Sequence, residues 1–225
     1  MKLKNFGRAK GNKLKNLKKV RNEILAEAKK YIVDFGWNKN LLNKIVEKSK
    51  YDSNTLTVLF PGGYKSLLQL YLDEINLKMT IESKKLNLIR FKVHERIREL
   101  LILRLDILSK EKKIIQKTVY HLLLPNNYKF SLINLYRTVD QIWFLAGDNS
   151  TDFNYYSKRT ILATIYTRTI INFINNDDLK STIRLLNMQL KQVAKIPKIK
   201  NSFKNFTKIT PFLFKLRENF NFTKR

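Results

Sequence analysis

The sequence predicts an all-α protein of about nine to ten helices. Three observations carry that expectation. Apolar residues recur at three- and four-residue steps along most of the chain, the spacing of one helix face. Gly, Pro, Asn and Asp stand between the periodic runs, where helices start and stop. No stretch shows strand-length alternation bounded by hairpin turns, and no internal repeat is evident.

Residues 1–19 read as a basic flexible tail: Lys and Arg recur there without apolar periodicity, and Gly7 and Gly11 disfavour a helix. A mitochondrial transit peptide would be rich in Arg and Ser, whereas this segment is rich in Lys. The first helix is expected over 20–35, with Ile24, Leu25, Ala28, Tyr31, Ile32 and Phe35 on one face and Gly36 as its stop. A short helix over 41–48 turns Leu42, Ile45 and Val46 inward. Asp52 or Ser53 caps a third over 54–60, which Pro61-Gly62-Gly63 ends, and 64–79 forms a fourth. Three short helices, Leu-Phe-Pro and a longer helix resemble the helix–turn–helix start of TetR-type regulators. A working DNA reader would present Ser53–Leu59 as its recognition helix. That helix carries no Lys or Arg, the residues on which phosphate contact and base readout chiefly rest, so sequence-specific DNA binding is the secondary reading.

A stripe of Leu86, Ile89, Val93, Ile97, Leu100, Leu101, Leu105 and Leu108 predicts a long helical region over 86–108. Arg90, Arg96, Arg98 and Arg104 are expected to alternate with Glu95, Glu99 and Asp106 on its surface. Helices follow over 114–124, 128–146, 152–175 and 179–194, the last packing Ile183, Leu186, Met188 and Leu190. The 128–146 helix is apolar around most of its circumference, which makes it central or a contact for lipid or partner. After the basic link around Pro197, Thr210-Pro211 begins a final helix. Phe206, Ile209, Leu213, Leu216 and Phe220 fall on one face of it, with Lys204, Lys208 and Lys215 opposite. Such a helix suits a membrane interface, or docks on its own domain or a dimer mate. The domain plan is thus a tail over 1–19, a helix–turn–helix-like part over 20–82, a larger helical domain over 83–196 and an amphipathic helix over 201–225.

The net charge is +27, concentrated at the ends: residues 1–22 hold nine Lys or Arg and no acid, and residues 179–225 hold twelve and one acid. Basic ends attract anionic lipid, nucleic acid or acidic protein, although compositional drift toward Lys, Asn and Ile produces the same bias. No cysteine is present, which excludes disulfides, iron–sulfur clusters and thiol chemistry. No apolar run approaches the ~20 residues of a membrane span, so membrane contact is expected to be peripheral. His94 and His121 lack the neighbours of a di-iron or zinc motif, and no nucleophile stands beside a base. The expectation is a protein that is not an enzyme and has no cofactor.

Specific side chains concentrate between Ala146 and Tyr166. Gly147 permits a positive φ, and Asp148, Ser150, Thr151 and Asp152 are all suited to cap the next helix. Phe153, Tyr155, Tyr156 and Tyr166 share that helix with Lys158 and Arg159; on local grounds alone this is a corner with core aromatics. Asp140 to Tyr156, Asp-Gln-Ile-Trp-Phe-Leu-Ala-Gly-Asp-Asn-Ser-Thr-Asp-Phe-Asn-Tyr-Tyr, with Lys158-Arg159 and Ala163-Ile165-Tyr166, nevertheless resembles a family signature. The family is the accessory lipid-binding proteins of ubiquinone (coenzyme Q) biosynthesis. Val93-His94-Glu95 with Ile97-Arg98, and Leu122-Leu124-Pro125-Asn126-Asn127, resemble two further segments of it.

The resemblance implies a TetR-like fold, homodimerisation and a non-enzymatic role. It implies an apolar pocket for an isoprenoid lipid or phospholipid, and delivery of substrate to the di-iron demethoxyubiquinone hydroxylase. It also implies attachment to an anionic membrane through the C-terminal helix, with Phe206, Ile209, Leu213, Leu216 and Phe220 as the inserting face. That membrane is the cytoplasmic face of a bacterial inner membrane or the matrix face of the mitochondrial one. The partner patch corresponds to Asp140, Ile142, Trp143, Asp152, Tyr155, Tyr156 and Arg159, of which Tyr155 is expected to be exposed. Gln141 stands where a second acid is common, and Tyr155 where Trp is common.

Overall fold

Helix follows helix from Lys2 to Lys195 in the computed structural model: ten α-helices and two 3₁₀ turns, with no strand among the described residues. The described backbone covers residues 2–148 and 153–195, and the described side chains cover 15–148 and 155–193. Asp152, the Phe153 side chain and the expected amphipathic segment with Phe206, Ile209, Leu213, Leu216 and Phe220 lie outside those residues. The chain divides into two units, residues 1–77 with 110–124, and residues 78–109 with 125–225.

The first unit holds α1 (Lys2–Lys29), α2 (Ile32–Phe35), α3 (Lys39–Lys48), α4 (Ser53–Leu59), the first part of α5 (Tyr64–Ser83) and α7 (Lys112–Leu123). Gly36 ends α2 at φ 67, the left-handed value that glycine adopts without penalty. Asn38 caps α3 by accepting from Leu41 N, and Asp52 caps α4 by accepting from Thr55 N at 2.9 Å. The core joins Ile24, Leu25 and Ala28 to Ile32, Leu41, Ile45, Leu67 and Leu68. Trp37, 2% exposed, donates its indole N–H to Thr118 Oγ1 at 2.9 Å and packs on Tyr71 with ring centroids 5.6 Å apart. Lys29 reaches Glu74 at 2.9 Å and Glu111 at 3.0 Å. Tyr71 donates its hydroxyl to the other oxygen of Glu111.

The second unit holds the end of α5, α6 (Val93–Ser109), α8 (Tyr128–Leu145), α9 (Phe153–Asn175) and α10 (Leu179–Lys195). α8 packs on α6 and α9, and α10 packs on α9 and α6. Its core mixes Ile97, Leu100, Leu101, Val139, Ile142, Leu162 and Leu186 with buried polar side chains. Thr182 donates to Asn172, and Gln189 donates to Thr169 at 3.3 Å; each polar atom taken from water in this way needs a partner. Asp178 receives the N–H groups of Lys180 and Ser181 at the head of α10.

The all-α expectation holds, and the differences are local. The expected tail over 1–19 is helical and continuous with α1. Extending a helix already nucleated downstream adds one hydrogen bond per residue, which offsets the ~1 kcal/mol that each of Gly7 and Gly11 costs. The single run over 86–108 is a 3₁₀ turn, Leu88–Arg90, followed by α6, and Ile89 is 88% exposed instead of in the stripe. Arg104, expected on the surface, is 3% exposed. It donates to the Tyr166 hydroxyl at 2.7 Å and to Thr138 at 3.4 Å. Its spacing from Ile97, Leu100, Leu101 and Leu108 sets it on the buried face, so position outweighs charge. Met188, expected in the core, is 46% exposed, because it lies two residues from the buried Leu186 and so on another face of α10. Residues 112–123, expected with the second domain, belong to the first unit through Trp37–Thr118 and an edge contact between Tyr64 and His121.

Candidate functional site

The site is built on the corner between α8 and α9. α8 ends in a Schellman motif: Gly147 sits at φ 83, its N–H bonds Phe144 O, and Asp148 N–H bonds Trp143 O. A side chain at Gly147 would be strained at that φ, and its Cβ would stand 3.1 Å from Arg96 Nη1. Arg96 donates to Ala146 O at 3.2 Å and to Phe91 O at 2.8 Å, placing a cation at the negative end of the α8 dipole.

Two carboxylates and two cations then lock the corner. Arg159 Nε donates to Asp140 Oδ1 at 2.6 Å, and Arg159 Nη1 to Asp148 Oδ2 at 3.3 Å. Lys158 donates to Asp148 Oδ1 at 2.7 Å. The Arg159 and Asp148 side chains are only 5% and 4% exposed. Opposite charges so deeply withdrawn from water fix geometry more than they add stability. The guanidinium lies 3.3 Å from the centre of the Tyr155 ring. Tyr155 donates its one hydroxyl proton to Asp140 at 2.9 Å, so the 2.9 Å contact between the Tyr136 and Tyr155 hydroxyls has Tyr136 as donor. Burial pushes both phenols above their ordinary pKa, keeping them protonated as this chain of bonds requires.

Next to the corner lies a cavity of about 630 Å3. Ile97 of α6, Ile161, Leu162 and Ile165 of α9, and Leu190 and Val193 of α10 supply apolar wall. His94, Glu95, Arg98, Lys158, Asn187 and Lys191 supply its polar lining. Trp143 belongs to both features: it lines the cavity and donates its indole N–H to Lys158 O at 3.2 Å, while Lys158 Nζ stands 5.4 Å from its ring. The size is that of a small-molecule site, mostly apolar with a few convergent polar groups.

The expected patch is therefore partly internal. Asp140, Trp143 and Tyr155 are half-buried and meet at the corner. Ile142 is fully buried, Tyr156 is 8% exposed and Arg159 is buried, so these three support the corner from beneath. Tyr155, expected to face outward, spends its hydroxyl on Asp140 and its ring on Arg159 and on Tyr156, whose ring it meets edge-on at 5.1 Å. Gln141, the departure from the family pattern, donates to Thr80. Asp148, read as a helix cap, pairs with Lys158 and Arg159. Arg98, which in the sequence belongs to a family-like segment and has no evident role, forms the α6 wall of the cavity with His94, Glu95 and Ile97. Among the described residues, no group of three or more His, Cys, Asp or Glu is placed to hold a metal ion. No helix among them is long and apolar enough to cross a membrane.

Fold and site define an all-α protein whose second unit carries a largely apolar, open cavity beside an ion-paired corner. Residues 128–197, which include the α8–α9 corner, match the COQ9 family model. It is 25% identical over 206 residues to the probable ubiquinone biosynthesis protein coq9, mitochondrial, of Dictyostelium discoideum, covering 87% of this chain and 67% of the relative. It is 27% identical to COQ9-A of Xenopus laevis over 77% of this chain and 57% of the relative. It is 26% identical to COQ9 of Homo sapiens over 74% of this chain and 55% of the relative. The chain thus spans between just over half and two thirds of the length of these curated relatives. All three are named as ubiquinone biosynthesis proteins of mitochondria.

Proposed function

We propose that this chain is a non-enzymatic, lipid-binding accessory protein of ubiquinone biosynthesis. Its cavity shelters an isoprenoid quinone precursor at a membrane, and the α8–α9 corner presents that precursor to the di-iron demethoxyubiquinone hydroxylase. The observation that carries this is the 630 Å3 cavity in the unit that contains the family-matched segment, with Trp143 shared between cavity and corner. Water-insoluble tails reach a soluble active site only inside an apolar enclosure, and this one is apolar on α6, α9 and α10. The relatives are named as mitochondrial, which supports a mitochondrial location, and the matrix face of the inner membrane belongs to the same proposal. Residues 201–225 are the proposed membrane contact, helped by a net charge of +27. The TetR-like homodimer implied by the resemblance is part of the same proposal.

The test is lipid extraction and mass spectrometry of the purified protein. An isoprenoid or phospholipid is expected at near-stoichiometric amount, and filling the cavity with Ile161→Trp should reduce it several-fold. Protein that carries no lipid and takes up no quinone analogue would overturn the reading. Deleting residues 201–225 is expected to abolish flotation with anionic liposomes; unchanged flotation would remove that segment from the proposal.

A further inference from the structure

We infer that Ile89, Phe91, Val93 and Phe144 form a membrane contact that brings the His94–Trp143 side of the cavity against an anionic bilayer. This contact is separate from residues 201–225, and its use as a route into the cavity rests on the lipid-binding reading. Single exposed apolar side chains are ordinary on a protein surface, whereas a cluster of large ones marks an interaction site. Ile89 and Phe144 are almost wholly exposed, and Phe91 and Val93 are exposed beside Ile89 in sequence. Arg96 brings the two stretches together. Its guanidinium donates to Phe91 O at 2.8 Å and to Ala146 O at 3.2 Å, and stands 3.5 Å from Ile89 O. The turn before α6 is thereby tied to the end of α8, where Phe144 stands two residues before Ala146.

The charge around the patch says what covers it. Residues 84–93 contain four Lys or Arg and no acid. Lys85 pairs with Glu82, while Lys84, Arg90 and Lys92 are exposed and make no ion pair among the described residues. The next acid along the chain, Glu95, accepts the backbone N–H of Lys92 at 2.8 Å. Apolar side chains flanked by unpaired cations suit the interface of an anionic bilayer. The apolar groups enter the acyl boundary, and the cations meet the lipid phosphates. The patch also adjoins the cavity. Val93 precedes His94 and Phe144 follows Trp143, and both His94 and Trp143 line the cavity. His94 is itself exposed, so the cavity reaches the surface beside the patch. A bilayer seated there lets an uncharged quinone precursor pass from acyl chains to apolar wall without crossing water.

The chain has no cysteine, so Ile89→Cys and Phe144→Cys can each carry a single environment-sensitive fluorophore. Vesicles of equal parts phosphatidylcholine and phosphatidylglycerol should raise emission several-fold at both positions in the full chain. A label at Val58→Cys, on an exposed apolar residue of α4, should not respond. Ile89→Asp combined with Phe144→Asp should slow transfer of a quinone analogue from these vesicles by about tenfold or more, the scale of burying one such side chain. Its uptake of the analogue from detergent micelles should match the parent, which also shows that the variant is folded. Labels that stay in water while the chain floats with vesicles overturn the contact and leave the lipid-binding reading intact. An equal response to vesicles of phosphatidylcholine alone, or at Val58→Cys, also overturns it. A response without vesicles, to rising protein concentration or to the hydroxylase, assigns the patch to a protein surface and overturns the bilayer. A parent that takes up no analogue even from micelles overturns the lipid-binding reading and the route into the cavity, while the labels still decide the membrane contact.

Discussion

Each unit contains one cation set between two carboxylates above a tyrosine ring. In the first, Lys29 bridges Glu74 and Glu111, lies 5.1 Å from the centre of the Tyr71 ring, and Tyr71 gives its hydroxyl to Glu111. In the second, Arg159 bridges Asp140 and Asp148, lies 3.3 Å from the Tyr155 ring, and Tyr155 gives its hydroxyl to Asp140. The parts are the same and their wiring differs. The first joins residues 82 positions apart and is a staple for helices remote in sequence. The second lies within one helix pair, and through Asp148 it reaches Lys158, which lines the cavity. One arrangement thus ties helices remote in sequence, while its counterpart has a neighbour, Lys158, that lines the cavity.

Burial ranks the two. The Lys29 side chain is 17% exposed and both glutamates are 29% exposed, so water shares the load when the cation is lost. Arg159 and Asp148 are 5% and 4% exposed. Arg159→Met is therefore expected to be the most damaging single change, destabilising by about 3–5 kcal/mol, because it strands buried charge. Lys29→Met is expected to cost about 2 kcal/mol, the scale of lost hydrogen bonds to a charged group that water can partly replace. Urea denaturation of both variants against the parent checks the order. Equal losses would dissolve the distinction between staple and corner. The chain's two tryptophans divide the signal, since Trp37 lies in the first unit and Trp143 in the second. Trp37→Phe and Trp143→Phe backgrounds report each unit separately.

The same contrast explains what the sequence disclosed. The corner was legible because its components fall within residues 136–159: a glycine at the end of an apolar run, acids around it, and Tyr155 and Arg159 one helical turn apart. Helix periodicity placed the residues of α3, α5, α8, α9 and α10 to within a few positions for the same local reason. Lys29, Glu74 and Glu111 gave no signal, because nothing local marks three residues on separate elements as partners. Arg104 carries a usable signal in its spacing from Ile97 and Leu101, because position on the helix outweighs charge there. The orientation of Tyr155 was not legible at all: helix spacing says which face a ring shares, and only the meeting of α8 with α9 says what covers that face. Apolar surface on several helices fits a filled core as well as a cavity, and only the packing of α10 on α6 and α9 tells the two apart.

A smaller effect sharpens the comparison within the corner. Tyr155→Phe keeps the ring under Arg159 and removes only the hydroxyl that links Tyr136 to Asp140. About 1 kcal/mol of stability should be lost, the typical net value of a hydrogen bond. Lipid binding in the adjoining cavity should stay within twofold of the parent, because Trp143 and Lys158 line it and Tyr155 does not. A large loss of lipid binding would show that the tyrosine chain reaches the cavity wall. Tyr155→Lys is the wrong probe of partner docking, since it sets a second cation against Arg159 and would lower the melting temperature by itself.

The smallest expected effect belongs to the first unit and lies outside its Lys29 network. His121 sits edge-on to Tyr64, with ring centroids 5.6 Å apart. Burial first, and then the charge of Lys65, lowers its pKa from the ordinary 6.5. The folded protein therefore prefers the neutral imidazole, and the unfolded chain takes up a proton first as pH falls. The sign follows from that uptake: this contribution to stability is complete above about pH 6.5 and is lost as pH falls through the lower folded value. Urea midpoints followed by Trp37 fluorescence in the Trp143→Phe background should decline between pH 7 and pH 5. His121→Phe should flatten that decline by removing the titrating group. If the slope persists in His121→Phe, the pH response comes from another group of the first unit.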